Sequence, residues 1–496
     1  MSHILAIDQG TSSSRAILYD ADGRAVASAQ QTFEMSFPQA GWVEQDPEEI
    51  WRTVLATTQE VLGQASGPVT AIGITNQRET TLVWERATGQ CIYPAIVWQD
   101  SRTAARCEAM RASDTGELAK LIASQTGLLI DPYFSSTKLA WILDEVPGAR
   151  QRAAAGELCF GTVDSYLIWR LTGGTSHVTD ATNASRTQLF DIAVQAWSEQ
   201  LLDYFDIPAA ILPEVLDSAA AFGITAENVL GAAIPITGVA GDQQAALVGQ
   251  GCFAQGQSKS TYGTGCFVMA NTGAKIVRSQ QQLLSTVAYR IGGQPTYALE
   301  GSIFVAGVGI KWLRDQLRLI DDAAETSAAY EACDGDSGGV YVVPALTGLG
   351  APYWQPRAKG MITGLQLDTN RDQVITAALQ AVAFQTQELL AAMAADGAVV
   401  EQLRIDGGMV VNDHLCQFLA DLLNVPVQRP VDVETTALGA AILAGVGAGL
   451  HADLAAAGSA WRLDRAFEPA MTDVRRQELL QDYAGAVRQV LAGLPE

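Results

Sequence analysis

The chain has 496 residues, of which 48% are hydrophobic and 17% charged, and it carries a net charge of −23. The length calls for two or more domains and the composition for large buried cores, while the acidity argues against nucleic acid and anionic membrane surfaces as partners. A local cationic pocket can still hold an anionic substrate, because distant charges are screened beyond roughly 10 Å in salt.

The N-terminus alternates strand and turn: "ILAID", "QGTSSSR", "AILYD", "ADGR", "AVASA". This predicts a β-meander instead of the strand–helix step of a dinucleotide fold. Asp8 ends the first strand and Gly10 permits close backbone approach. Thr11, Ser12, Ser13 and Ser14, followed by Arg15, can grip phosphate oxygens with hydroxyls, amides and one positive charge. The same residues also make an ordinary polar β-turn. No G-K-[ST] follows, so this is not a Walker loop.

Asp46-Pro47-Glu48-Glu49 then opens a helix, with an N-cap candidate, proline at the first helical position and acids at the positive end of the dipole. Ile50, Trp51, Val54, Leu55, Val61 and Leu62 recur at helical spacing behind it. Ile72–Ile74 and Leu82–Trp84 read as strands, and Arg78 and Glu79 lie between them where a hairpin would prefer Asn-Gly or Asp-Gly. Neighbouring side chains on a regular strand point to opposite faces, so both reach one ligand only if the strand ends or twists over residues 75–79.

Further along, Ile236 and Val239 form a strand, Gly241 turns it, and Asp242 begins a helix with Gln243 and Gln244. Asp242 is either the cap of that helix or a carboxylate that can accept an alcohol proton and help hold magnesium. At mid-chain "SKSTY", "GTG" and "CFVMANTG" repeat the N-terminal grammar, which predicts an internal duplication with its boundary near Gly249–Gly251. Thr264, between Gly263 and Gly265, is a second phosphate grip or a glycine hairpin. Asp372 opens a helix with Val374, Ala378 and Val382 on one face, and Asn412 opens another with Leu415, Phe418, Leu419, Leu422 and Leu423. Ahead of Asn412 a strand ends at Asp406, and Gly407-Gly408 leave room for a flat ring. Asn412 either touches a nucleotide or caps its helix. Strands mixed with helices across two long halves predict an α/β architecture of two layered domains, 1–249 and 250–496, around a cleft.

The seven cysteines, Cys91, Cys107, Cys159, Cys252, Cys266, Cys333 and Cys416, are scattered and contain no C-x-x-C. This predicts a reducing, cytoplasmic setting and argues against a disulfide framework or a zinc site. The apolar run after Met1 ends at Asp8, too soon for a signal peptide. Ala437–Leu450 is shorter than the ~20 apolar residues of a membrane span and reads as a buried helix.

The stretches "YFSSTKLAWILDE" (133–145) and "GMITGLQLDTNRDQVITAALQ" (360–380), together with "GWVEQDPEEIW", "GITNQRETT", "TDATNASRT", "AGDQQAAL" and "STYGTGCF", resemble the FGGY family of carbohydrate kinases along essentially the whole chain. The resemblance implies two duplicated actin-like (ribonuclease H-like) domains flanking a nucleotide cleft. It implies phosphorylation of glycerol to sn-glycerol 3-phosphate by ATP and Mg2+, with a pentulose or a longer polyol as the alternative substrate. Thr11, Ser12, Ser13 and Arg15 would then meet the nucleotide phosphates, and Thr264, Gly307, Lys311, Gly408 and Asn412 would line the nucleotide site. Arg78, Glu79, Tyr133, Asp242 and Gln243 would hold the glycerol hydroxyls, and Trp98 and Phe267 would cover its carbons. Asp242 would be the general base, with Asp8 and Asp242 near the metal. A cytoplasmic homo-oligomer, dimer or tetramer, is implied as well, with glycerol and ATP as partners and neither nucleic acid nor membrane insertion. An actin-like scaffold would call for a polymerising or peptide-binding appendage, and the sequence carries no such arm.

A small neutral polyol offers hydroxyls in place of apolar area. Hydrogen bonds to charged groups contribute about 1.5–3 kcal/mol each, against about 1 for neutral pairs, which is a reason to place Arg78 and Glu79 together. Three features depart from the family. Lys311 stands where glutamine is common. Some bacterial relatives bind a sugar bisphosphate inhibitor through a basic glycine-rich loop, whereas Phe222–Ile236 holds Glu227 and no Lys or Arg. Others are phosphorylated on a histidine in this region, and no histidine lies between His177 and His414. Insensitivity to both signals is expected.

Overall fold

The computed structural model of the protein describes residues 2–494. Two mixed sheets organise it. The first has six strands in the order Ala219–Ile224, Pro235–Gly241, Val69–Asn76, His3–Gln9, Ser13–Tyr19 and Ala25–Thr32. His3–Gln9 pairs antiparallel with Ser13–Tyr19 and parallel with Val69–Asn76. The second has seven, Leu284–Ile291, Gln294–Ile303, Cys266–Gly273, Ser258–Tyr262, Leu403–Asp406, Val427–Pro430 and Leu463–Phe467. Here Ser258–Tyr262 pairs antiparallel with its successor and parallel with Leu403–Asp406. The same step occurs in both halves, as the repeated strand–turn grammar predicts.

His3–Gln9 is apolar on both faces because both faces are covered. Leu5 and Ile7 pack with Ile50, Trp51 and Val54 of the helix Pro47–Gly63. That helix starts where the Asp46 carboxylate accepts the Glu48 amide at 2.9 Å, with Pro47 as its first residue. Ile4 and Ala6 face the other way, into a cluster with Ala71, Ala440 and Ala441.

The helix on that second face, Thr435–Gly447, comes from the C-terminal part of the chain. A Cβ at Gly73 would run into the Ala440 carbonyl, and one at Gly238 into the Ala444 amide, so only bare strand positions let the helix lie directly on the sheet. The Thr237 hydroxyl donates to the Ala444 carbonyl at 2.8 Å. Ala245, Leu247 and Val248 of the helix Asp242–Gly249 join the same alanine-rich cluster. This packing ties the two halves together beneath the strand ends that carry the site. Among the described residues no helix is long and apolar enough to cross a membrane.

Candidate active site

The strand Val69–Asn76 ends just before Arg78 and Glu79. Glu79 adopts a φ of 58°, the left-handed region, so the strand stops there and both side chains turn into one buried cluster. Arg78 Nη1 and Nη2 donate to the two carboxylate oxygens of Glu300 at 2.5 and 3.0 Å. Its Nε faces Asp242 Oδ1 at 3.2 Å. Gly241 makes room for this arginine, since a Cβ there would sit 2.7 Å from Arg78 Cγ and 2.8 Å from Cδ. Arg186 Nε donates to Glu79 Oε1 at 2.7 Å, and its Nη2 donates to Glu300 Oε1 at 3.1 Å. Lys259 Nζ donates to Gln243 Oε1 and, at 2.9 Å, to Thr261 Oγ1. Arg78, Arg186 and Lys259 thus balance Glu79, Asp242 and Glu300 in charge.

Arg186, Lys259 and Glu300 escape the sequence reading. Each is a single charge in an otherwise apolar or small-polar stretch, and such a residue has no periodic signature. The lone carboxylate inside the strand Gln294–Ile303 is the one signal that could have found Glu300.

Burial raises Asp242 above the usual carboxylate range, and Arg78 and Lys259 pull it back. Burial works the same way on Glu300, but there Arg186 and Arg78 prevail and hold it at about 2. Burial also raises Glu79, opposed by Arg186 and Arg78. Asp8 pairs across the sheet with Arg15 on one side and Thr75 on the other. Burial pushes it up to about 7, with Arg15 lowering it and Asp242 raising it further. Arg15 forms an ion pair with Glu434 and donates to Gln30 Oε1 at 3.0 Å.

An aromatic wall stands beside the charges. Trp98 meets Tyr133 edge-on at 5.6 Å between centroids and Phe267 at 6.3 Å. The Arg78 guanidinium lies 5.7 Å from the Phe267 centroid. Trp98 Nε1 donates to Thr11 Oγ1 at 2.9 Å, which joins the wall to the first turn. Gln45 donates to the Thr11 carbonyl at 2.6 Å, and Gln77 donates to Gln9 and Gln45 at 3.0 and 2.9 Å. The turn itself closes with Gly10 N on the Ser13 carbonyl at 2.9 Å, leaving Ser12 exposed.

The remaining candidates gather in the other half. Gly307 N donates to the Gly263 carbonyl at 2.9 Å, and Ala306 and Val308 donate to the Thr264 carbonyl at 3.1 Å. The glycine turn therefore rests on the start of the helix Gly307–Asp315, one turn ahead of the exposed Lys311. Gly408 opens a short 3-10 turn leading to Asn412. Of the two roles open to Asn412, the cap is formed: its Oδ1 accepts from His414 N and Leu415 N at 3.0 and 3.1 Å. Its Nδ2 donates to Thr326 Oγ1 at 3.1 Å. Among the described residues no hydrogen bond joins this group to the first turn. The halves meet at the charged cluster, through Lys259, Phe267 and Glu300. No set of three His, Cys, Asp or Glu side chains among the described residues is arranged to hold a metal.

A duplicated α/β fold with a buried charge cluster between its halves defines the class of protein. Residues 3–249 match the N-terminal domain of the FGGY family of carbohydrate kinases, and residues 259–448 match its C-terminal domain. The chain belongs to this family. It is 58% identical over 495 residues to glycerol kinase 1 of Pseudomonas aeruginosa, covering 99% of each chain. It is 58% identical over 494 residues to a glycerol kinase of Alcanivorax borkumensis, covering 99% of this chain and 98% of that one. The crystal structure of Plasmodium falciparum glycerol kinase with ADP superposes with a TM-score of 0.93 at 37% identity, covering 100% of this chain and 99% of that one. Xylulose kinase from Lactobacillus acidophilus shares the fold, with a TM-score of 0.89 at 22% identity and 99% of each chain covered.

Proposed function

We propose that this protein transfers the γ-phosphoryl group of ATP to glycerol, forming sn-glycerol 3-phosphate. The observation that carries the reading is the cluster of Arg78, Glu79 and Asp242 beside the Trp98–Tyr133–Phe267 wall, in a chain 58% identical to glycerol kinases over 99% of its length.

Arg78 donates to glycerol hydroxyls and Glu79 accepts from them, with Tyr133 and Gln243 completing the set. Trp98 and Phe267 cover the carbons and limit the length of polyol that fits. An analogue lacking a hydroxyl would leave a buried charge unpaired, which discriminates strongly against it. Asp242, raised by burial, orients the attacking hydroxyl and takes its proton late, because the transition state of phosphoryl transfer is loose. Thr11, Ser12, Ser13 and Arg15 take the phosphates, for which Arg15 turns from Glu434. Thr264, Gly307, Lys311, Gly408 and Asn412 line the rest of the nucleotide. In this reading residues 1–249 form the polyol-holding domain and 250–496 the nucleotide-holding one, and their closure excludes water.

Asp8 and Asp242 fit magnesium. Both are hard oxygen donors; burial does most to raise Asp8 to about 7, Arg15 lowers it, and the Asp242 carboxylate raises it further, so the two carboxylates sense each other across the site. When bound, the ion neutralises charge on the transferring phosphates. The unpaired cysteines suit a reducing cytoplasm, where we place the protein as a dimer or tetramer, checked by sedimentation.

The test is ATP consumption with glycerol, xylulose and ribulose offered side by side, with and without Mg2+. Glycerol is expected to lead by roughly 100-fold or more in kcat/KM. Efficient turnover of a pentulose without turnover of glycerol would overturn the reading.

A further inference from the structure

Arg78 is held by the opposite half of the molecule. Its fork meets Glu300 in the bidentate geometry that fixes a guanidinium plane. Glu300 lies on Gln294–Ile303 of the second sheet, while Arg78 follows Val69–Asn76 of the first. Arg78 has five N–H groups. Two go to Glu300, one to Gln244 at 3.3 Å, and the Nε–H edge faces Asp242. One N–H on Nη2 remains, and Glu300 determines where it points. Arg186 completes the frame by bridging Glu300 and Glu79. Both Glu300 and Arg186 are fully buried, so water cannot substitute for either.

We infer that Glu300 and Arg186 are positioning residues for the polyol, with Glu300 setting the plane of Arg78 and Arg186 setting the carboxylate of Glu79. This rests on the reading that Arg78 and Glu79 hold glycerol. Glycerol affinity then depends on how the C-terminal sheet is seated against the N-terminal one, whereas the ATP contacts do not include this frame. An interaction made equally in ground and transition states changes KM more than kcat.

The experiment compares wild type, Glu300→Gln, Glu300→Asp and the double variant Arg186→Gln/Glu300→Gln. KM for glycerol, KM for ATP, kcat and thermal unfolding are measured for each. Glu300→Gln keeps the shape but leaves two buried guanidiniums with too little negative charge. It is expected to raise glycerol KM roughly tenfold or more, with kcat and ATP KM within about threefold. Glu300→Asp restores the charge at a shorter reach and should fall between the two. The double variant removes one charge of each sign, so its melting temperature should recover relative to Glu300→Gln while glycerol KM stays high.

Recovery of glycerol KM together with stability in the double variant would make the pair mere scaffold and overturn the inference. So would an equal rise in the KM of ATP, or a double variant that does not fold. Wild-type turnover keeps the two readings apart. If the wild type prefers another polyol, the glycerol assignment fails, and the same KM split is then measured with that polyol.

Discussion

Each half of the molecule lays a parallel strand beside its first strand and then turns the chain toward the site, but the two turns are built from opposite materials. In the N-terminal half, Val69–Asn76 gives way to Arg78 and Glu79, with Glu79 at a φ of 58°. In the C-terminal half, Leu403–Asp406 gives way to Gly407-Gly408, with Gly407 at a φ of 91°. A left-handed glutamate carries about 1–2 kcal/mol of strain that a glycine would not, and its carboxylate is held in place by Arg186. Gly407 has no such choice, since a Cβ there would lie 2.5 Å from the Tyr262 carbonyl. The turn at residues 10–14 is likewise braced by Gln45, Gln77 and Trp98, and the turn at residues 263–265 by backbone amides alone. On the proposed function, the turn at Arg78 and Glu79 presents charged side chains to a polyol, completed by Glu300 from the other half, and the turn at Gly407-Gly408 presents bare backbone to a flat ring.

The sharpest way to break this contrast is Asp242→Asn. The amide keeps the shape and can still accept from Gln243 N, as Asp242 does at 2.7 Å, but it cannot take a proton. kcat should fall by about 100- to 10,000-fold, with the thermal transition nearly unchanged. Near-normal kcat would reduce Asp242 to a local turn partner.

The next test uses the opposite signs of two buried groups. In the N-terminal half Lys138 donates to the Tyr133 carbonyl at 2.6 Å, and burial lowers it to about 8 from 10.5. The unfolded chain keeps its proton up to the higher value, so this group's penalty is present below pH 8 and is relieved as pH rises toward 10.5. In the C-terminal half Glu388 accepts from Tyr353 Oη at 2.6 Å, and burial raises it to about 7 from 4.5. Its contribution is present below pH 4.5 and is lost as pH rises through 7. Each amounts to about 3 kcal/mol. Lys138→Met should flatten the alkaline rise in stability and Glu388→Gln the fall toward neutrality, read from melting temperature against pH. A profile unchanged by either substitution would refute the assignment.

A paired substitution then probes the two turns directly. Gly241→Ala pushes on an arginine stem whose head is pinned by Glu300, so glycerol KM should rise roughly tenfold, equivalent to about 1.4 kcal/mol, with ATP KM little changed. Gly408→Ala meets nothing within 4 Å. It should leave stability and glycerol KM alone and raise only ATP KM, by roughly threefold. Equal effects on both substrates from either variant would mean that the halves do not divide the work as argued.

The sequence makes the repeated meander legible because strand and turn chemistry are local, and the Asp46 cap and the break at residues 75–79 are read for the same reason. The helix Thr435–Gly447 reads as buried, but not as lying on strands Val69–Asn76 and Pro235–Gly241, since glycines at 73 and 238 acquire meaning only once the partner is known. Arg78 and Glu79 stand out as adjacent opposite charges. Their counterparts Arg186 and Glu300 are more than 100 residues away, and no local pattern encodes such a pairing. Arg15 reads as a phosphate ligand, and its pairing with Glu434 depends on a contact between the halves that a linear reading does not contain.

The smallest expected effect is none at all, and it concerns Phe222–Ile236, on the side-chain-built half. Each phosphate of a sugar bisphosphate carries roughly −1.5 to −2 charges near neutral pH, so binding needs cations or an array of free amides. The segment offers no Lys or Arg, and Glu227 is exposed within it. Several of its amides are already committed: Thr225 N donates to the Ile234 carbonyl at 2.9 Å, Ala226 N to Leu171 at 2.8 Å, Gly231 N to Glu227 at 2.8 Å and Ile234 N to the Thr225 hydroxyl at 2.9 Å. On a chain of net charge −23, this segment supplies no cation to hold an anion, and Glu227 adds a charge of the wrong sign. Fructose bisphosphate at millimolar concentration should therefore leave the rate unchanged at low salt, the condition that most favours weak anion binding. A saturable fall in rate that sulfate of equal ionic strength does not reproduce, and that added magnesium does not reverse, would mean that a neighbouring subunit supplies the missing cations.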